Sequence, residues 1–394
     1  MLHVAYTFTQ HATRFMLHFE RIFMKITNVE TYLLQYELPR AIGPSTMLYP
    51  FRTTLLVKIS TDEGLVGWGE TAPIGAAQAL IKEQFAPALI GQNPLEHRRL
   101  WRQLWGPNFG NPLAVAAVDI ALHDLRGKAL NLPLAELYGG RLRDQVPVYG
   151  SAMNYTAGVA AADQYPDEAA ALVARGFRAL KMRMGGEPLA QDIAAATAVR
   201  EAVGPDVLLM ADGNGAYSLS KAIQMGRALE ALNFYWFEEP LPQPDYAGYE
   251  ILTDKLDIAI AAGEGLGSRG GFKEVLTRHA MDIIQPDVSL CGGFAECLFI
   301  SEMGRLWGVP SMPHCWGGAV VVAATIHLLA LLPDASWART TETPMLELDT
   351  YENPFRDDLV TTPAQVKDGF VAVPTGPGLG IEVVEELIER YRIG

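Results

Sequence analysis

Seven ionisable positions recur between residues 183 and 342 at intervals of 23 to 29 residues, each closing a short apolar run: Arg183, Asp212, Glu238, Glu264, Asp287, His314 and Glu342. One polar residue at a strand end carries little information, but a regular series of them asks for a single centre on which they converge. Asp212, Glu238 and Glu264 would bring three carboxylates together, and crowded anions repel one another at neutral pH unless a cation lies between them. All-oxygen ligation with positions left for water and substrate suits Mg²⁺. The plainer alternative is that one or two of the acids pair with lysine or arginine on neighbouring strands. Asp287 can hold one nitrogen of His314 and aim the other at a substrate, which raises the imidazole pKa and fixes its tautomer, as a general base near neutral pH requires.

The run "ALKMRMG" adds Lys181 two residues before Arg183. On a strand, residues i and i+2 face the same way, so both cations enter one site. Arginine is essentially never deprotonated in a protein.

Elements must hold these groups in place. From Met24 to about Gly67 the pattern is strand-like, with "DEG" as a turn, and from Ile74 to Gly140 it turns helical. That is an α+β unit ending near residue 145. Between 146 and 342 eight strand candidates alternate with helix-sized segments: "VPVYGSAM", "FRALKMR", "VLLMADGN", "FYWFEEP", "IAIAAGE", "MDIIQPD", "VPSMPH" and "WARTTE". Buried, non-alternating strands in βα repeats predict an α/β fold with a parallel sheet, and eight units predict a (β/α)₈ TIM-like barrel whose C-terminal strand ends carry the active site. The competing architecture is an open doubly wound sheet. The expected division is an extension over 1–23, disordered or a misassigned start, an α+β capping domain over 24–145, the barrel over 146–365, and a C-terminal segment over 366–394 packing back on the first domain.

Bulk properties narrow the function. A net charge of −14 and a pI near 5.1 argue against broad electrostatic binding to nucleic acid or anionic membranes. Three cysteines without zinc-ligand spacing fit a reduced, cytoplasmic setting. The apolar run at 319–332 is too short to span a bilayer and reads as a buried helix. "GLGSRG" at 265–270 matches a dinucleotide fingerprint, but Glu264 just before it would set an anion against the pyrophosphate. "DGNGAY" opens like a calcium loop and then offers Ala216 and Ile223 where ligands are needed.

The strand ends resemble those of the enolase superfamily, in its mandelate racemase subgroup, from about Met24 to the C-terminus. "ALKMRMG", "LMADGN", "WFEEP", "AAGE", "IIQPDVSLCGG" and "MPHCWGG" carry the resemblance, backed by "AAVDIALHDLRGK". "CGGF", "PHCWGG", "ENPFRDDL" and "GPGLGIE" are most similar to the galactarolactone cycloisomerase and acid-sugar dehydratase branch. The resemblance implies that Asp212, Glu238 and Glu264 hold Mg²⁺, that His314 and Asp287 form a dyad, and that Glu342 stands beside the substrate carboxylate. It implies removal of a proton α to a carboxylate to give an enediolate, and a cap whose loop near Arg40–Pro50 covers the barrel mouth. The implied partner is a small-molecule carboxylate, a sugar acid or lactone; the family also implies a homo-oligomer, whose size these residues do not fix.

One position departs from the family pattern. Members with two-sided chemistry carry Lys-x-Lys where this chain has Lys181 and Arg183. Arg183 is therefore expected to act as an electrostatic clamp supported by Lys181, leaving His314 as the base. A racemase needs bases on both faces of the carbanion, whereas β-elimination runs with one. The expected activity is that of a Mg²⁺-dependent lyase (acid-sugar dehydratase) or lactone cycloisomerase. The alternatives are a racemase or epimerase in which Lys181 or a water replaces the missing base, and a non-catalytic, metal-stabilised binding barrel.

Overall fold

The computed structural model describes residues 23–106, 110–335 and 342–393. Residues 1–22 of the expected extension lie outside them.

A three-stranded meander opens the fold. β1 (Ile26–Gly43) pairs antiparallel with β2 (Tyr49–Thr61), and β2 with β3 (Val66–Thr71). The "DEG" turn joins β2 to β3, with Gly64 at a φ of 74° that favours glycine. The helix Pro112–Leu130 lies hard against β3: a Cβ on Gly69 would sit 1.8 Å from the carbonyl oxygen of Ala117. Only a residue without a side chain permits that approach, and it seats the next two residues, Glu70 and Thr71, against the barrel.

The second sheet is parallel. Its strands are β4 (Gln145–Ser151), β6 (Ala179–Arg183), β7 (Leu208–Asp212), β8 (Trp236–Glu238), β9 (Ala259–Ala262), β10 (Ile283–Ile284) and β11 (Leu346–Asp349), in the order β10-β9-β8-β7-β6-β4-β11. Short β5 (Tyr155–Thr156) leaves this sheet to pair with the end of β1, tying the two layers together. Ser311 extends the parallel path through a bridge to Ile284, and the amide of Cys315 donates to Glu347 Oε2 at 3.3 Å, bringing the two edges together. The chain is thus an α/β protein in which an antiparallel capping sheet accompanies a parallel barrel sheet. Strands such as "ALKMR" are buried at every position, because one face fills the barrel and the other meets helices. Tyr149, Met210, Trp236, Ala261, Ile283 and Met312 share the interior cluster.

The last barrel strand among the described residues is β11, downstream of the proposed "WARTTE". Of the proposed "WARTTE" strand, residues 337–341 lie outside the described residues, and Glu342 is an exposed residue preceding β11. The tail divides its contacts. β12 (Phe370–Ala372) pairs antiparallel with β4, with Val371 opposite Val146, whereas the helix Glu385–Tyr391 reaches β1, where the Tyr36 and Tyr391 rings meet at 5.8 Å.

The apolar run forms the helix Ala319–Leu331, and no helix among the described residues is long and apolar enough to cross a membrane. Within it His327 Nδ1 accepts from the amide of Ala135 (3.3 Å), so Nε2 carries the proton toward the Leu379 carbonyl (3.2 Å). Burial pushes its pKa down to about 4. Between that value and the ordinary 6.5 the unfolded chain binds the extra proton, so this contribution to stability is lost as pH falls through the window. Urea unfolding at several pH values is expected to give a shallower decline for His327→Gln than for the native chain. Parallel curves would assign the decline to other groups.

Candidate active site

Strand register brings the expected acids together. Arg183 lies opposite Asp212 across the β6–β7 pair, and Asp212 opposite Glu238 across β7–β8. Oxygens of Asp212, Glu238 and Glu264 lie within 4.8 Å of one another. Asp212 and Glu238 are wholly buried, and the Glu264 side chain is 23% exposed toward the cavity. The "DGN" turn shapes the first of them: Asn214 returns its backbone N–H to Asp212 Oδ1 (2.9 Å). Glu238 is aimed by Gln285 Nε2 (2.7 Å) and Trp236 Nε1 (3.0 Å), both donating to Oε2.

The electrostatics report an excess of negative charge. Burial together with Asp212, Glu347 and Glu264 outweighs Lys181 and pushes the Glu238 carboxyl up to about 8. Burial, Glu264 and Asp212 push neighbouring Glu239 up to about 9. Glu264 Oε2 is a buried oxygen with no hydrogen-bond partner. Three convergent carboxylates, one with an oxygen that accepts no hydrogen bond and one resisting ionisation, fit a hard divalent cation such as Mg²⁺.

Lys181 and Arg183 share the site but have different surroundings. The Lys181 ammonium is fully buried, 2.5 Å from Glu238, 2.7 Å from Glu347 and 3.6 Å from Asp212. Burial opposes its charge, but those three carboxylates outweigh burial and hold its pKa above the usual lysine range. Arg183 pairs through Nη1 with Asp212, donates through Nη2 to Ser151 Oγ at 3.1 Å, and lies over the Trp316 ring at 5.1 Å. Unlike Lys181, it lines the cavity.

His314 Nδ1 meets Asp287 Oδ2 at 2.6 Å, while Asp287 Oδ1 accepts from the amide and hydroxyl of Ser289, both at 2.6 Å. The carboxylate is thereby fixed, and it turns Nε2 inward, 3.3 Å from Glu264 and 3.8 Å from Glu347. Burial disfavours the imidazolium, yet Glu264, Glu347 and Asp287 raise the pKa to about 10. A cation held by Glu264 and its neighbours would neutralise the largest of these attractions and return the imidazole toward a range where it can accept a proton.

Glu342 does not join this group. It lines a separate small cavity with Arg305, Leu332 and Pro344. The acid on the eighth strand is Glu347, wholly buried, and held below the usual carboxylate range because Lys181, His314 and Arg183 outweigh the cost of burial. The alternation in "LELD" was its available signal, overshadowed by the β-branched "RTTE" just upstream.

A cavity of about 470 Å³ opens over these groups. Its walls combine Arg183, Glu264 and His314 with Ile42, Tyr49 and Arg52 from the cap. Side chains of the cap fasten it to the barrel: Ser45 Oγ donates to the Gly213 carbonyl (3.0 Å), Thr71 Oγ1 to the Ser289 carbonyl (2.7 Å), and Glu70 accepts from the amides of Gly318 (2.6 Å) and Val321 (3.0 Å). Arg52 also lies over Trp316 at 5.1 Å, so the indole is flanked by one guanidinium from each layer.

Residues 164–387 match the family model "Enolase C-terminal domain-like", and residues 35–139 match "Mandelate racemase / muconate lactonizing enzyme, N-terminal domain". The chain is 34% identical over 377 residues to D-galactarolactone cycloisomerase of Agrobacterium fabrum, an alignment covering 94% of this chain and 99% of the relative. It is 34% identical over 387 residues to D-galactonate dehydratase of Ralstonia nicotianae, covering 94% and 95%. Among solved structures, a racemase from Streptomyces coelicolor A3(2) with bound magnesium superposes with a TM-score of 0.83 at 26% identity, covering 93% of this chain and all of that one.

Proposed function

The chain belongs to the mandelate racemase / muconate lactonizing enzyme family of the enolase superfamily, and from that premise we propose a Mg²⁺-dependent lyase or cycloisomerase acting on a hydroxylated sugar acid or its lactone. The observation that carries this reading is one-sidedness. Among the described residues a single carboxylate-backed imidazole faces the acid cluster, and the other titratable candidate, Lys181, has its ammonium enclosed by three carboxylates and is absent from the cavity wall.

Asp212, Glu238 and Glu264 would hold Mg²⁺, which when bound supplies Lewis-acid stabilisation to the substrate carboxylate. His314 Nε2 takes the α-proton while Asp287 steadies the imidazolium. The electron pair left on the α-carbon forms a double bond to the β-carbon as the β carbon–oxygen bond breaks, and His314 returns its proton to the departing oxygen. Arg183 and Lys181 remain protonated throughout and lower the energy of the negative charge that develops. The cap excludes water from the cavity.

The test is α-proton exchange in D₂O with sugar acids of opposite α configuration. One configuration is expected to exchange and the other not, with all exchange lost on chelation by EDTA and restored by Mg²⁺. Equal exchange of both would mark a racemase or epimerase and defeat the one-base reading. Binding without any exchange would mark a non-catalytic barrel.

A further inference from the structure

Asn154 is 1% exposed and lines the same cavity as Arg183 and His314, yet neither its Oδ1 nor its Nδ2 has a hydrogen-bond partner. Buried amides are nearly always paired, so an orphan on a cavity wall marks a partner that comes from outside the protein. The backbone around it is, by contrast, tied at each step. Met153 adopts a left-handed φ of 52° and donates its amide to Glu168 Oε1 at 2.8 Å. The Asn154 amide donates to the Tyr351 hydroxyl (2.9 Å), that hydroxyl donates to Glu168 Oε2 (2.9 Å), and Gln164 Nε2 donates to the Asn154 carbonyl (3.2 Å). A non-glycine residue keeps a strained conformation of this kind where its surroundings over-determine it, which is common at ligand sites. Here the strain and the clamp hold one amide side chain in the cavity wall.

We infer that Asn154 reads a hydroxyl of the substrate chain beyond the α-carbon, an inference that rests on the sugar-acid reading above. A carboxamide presents donors and an acceptor side by side, and a hydroxyl answers both; a carboxylate would satisfy Nδ2 but meet the lone pairs of Oδ1. Position agrees with this role. β4, which leads into Asn154, pairs with β6, and the Arg183 amide donates to the Met153 carbonyl at 3.3 Å. The Asn154 side chain therefore shares the cavity mouth with Arg183 of the neighbouring stave, where it would meet the polyhydroxylated chain of an acid bound there.

The test compares the native enzyme with Asn154→Ala in the presence of Mg²⁺. The probe is the tightest-binding member of a panel of pentonates, hexonates and their diacids, together with its monodeoxy congeners. Binding is followed by calorimetry and turnover by kcat and KM. Loss of Asn154 is expected to weaken the parent acid roughly 10- to 100-fold in Kd and in kcat/KM. One deoxy congener should cost the native enzyme a similar factor and the variant nothing more, the signature of direct coupling. Thermal midpoint and Mg²⁺ affinity should hold, since the substitution removes an unpaired buried amide rather than a made bond; should Ala misfold, Asn154→Ser provides the same comparison. Equal penalties for every congener in both proteins, or no loss on substitution, would overturn the inference. If the native enzyme binds the acids without turnover, the proposed reaction fails while calorimetry still decides the role of Asn154. If it binds none of them, both fall.

Discussion

His314→Asn is expected to lower α-proton exchange and turnover on the order of 10²- to 10⁴-fold, the span that a positioned acid–base group contributes. The expectation follows from the geometry on both sides of the ring. Asp287 occupies Nδ1 at 2.6 Å, so Nε2 is the nitrogen free to work, and it lies 3.3 Å from Glu264 beside the cavity. Asparagine keeps the polarity of the position and loses the ability to accept a proton at neutral pH. Calorimetric Mg²⁺ binding should survive, because the three carboxylates are untouched. Exchange within tenfold of the native rate would transfer the base to another group and remove the central role given to His314.

Lys181→Met is expected to destabilise the fold by roughly 3–5 kcal/mol, the cost of leaving buried charges without their partner. Methionine nearly matches the lysine stem in length, so packing changes little and the effect isolates the ammonium. Without it, Glu238 and Glu347 lose their nearest cation while Asp212 keeps only Arg183, and the least costly response of the buried acids is protonation. The variant should therefore recover stability as pH falls toward the carboxylate range, opposite to the usual trend, and Mg²⁺ should rescue it more than it stabilises the native protein. Urea unfolding with and without Mg²⁺ measures both effects. A loss under about 1 kcal/mol would mean that the acids are already protonated or otherwise compensated.

Much of this site is legible in the sequence because barrel geometry turns spacing into position. Once βα repeats are recognised, Asp212, Glu238 and Glu264 must close adjacent strands, and His314 must follow Asp287 by one stave. The same logic fails where a strand is irregular. "VPSMPH" makes only one bridge, at Ser311, and the eighth strand begins later than the β-branched "RTTE" suggests, which replaced Glu347 with Glu342. Asn154 was invisible for a different reason: its importance lies in what it fails to bond, and no residue type announces an unmet hydrogen bond. The cap's fastenings through Ser45, Glu70 and Thr71 are likewise contacts between distant segments, fixed by tertiary packing rather than by local pattern.

The indole of Trp316 has an evolutionary consequence. Because Arg52 and Arg183 each lie 5.1 Å from the centre of one ring, exchanging either arginine changes the electrostatic environment that the other experiences. Drift at these three positions should be concerted, and a variant lineage that acquired lysine at position 183 would be expected to remodel the tryptophan and the roofing arginine as well. On the one-base reading proposed above, divergence toward two-faced chemistry would then require change in both halves of the molecule.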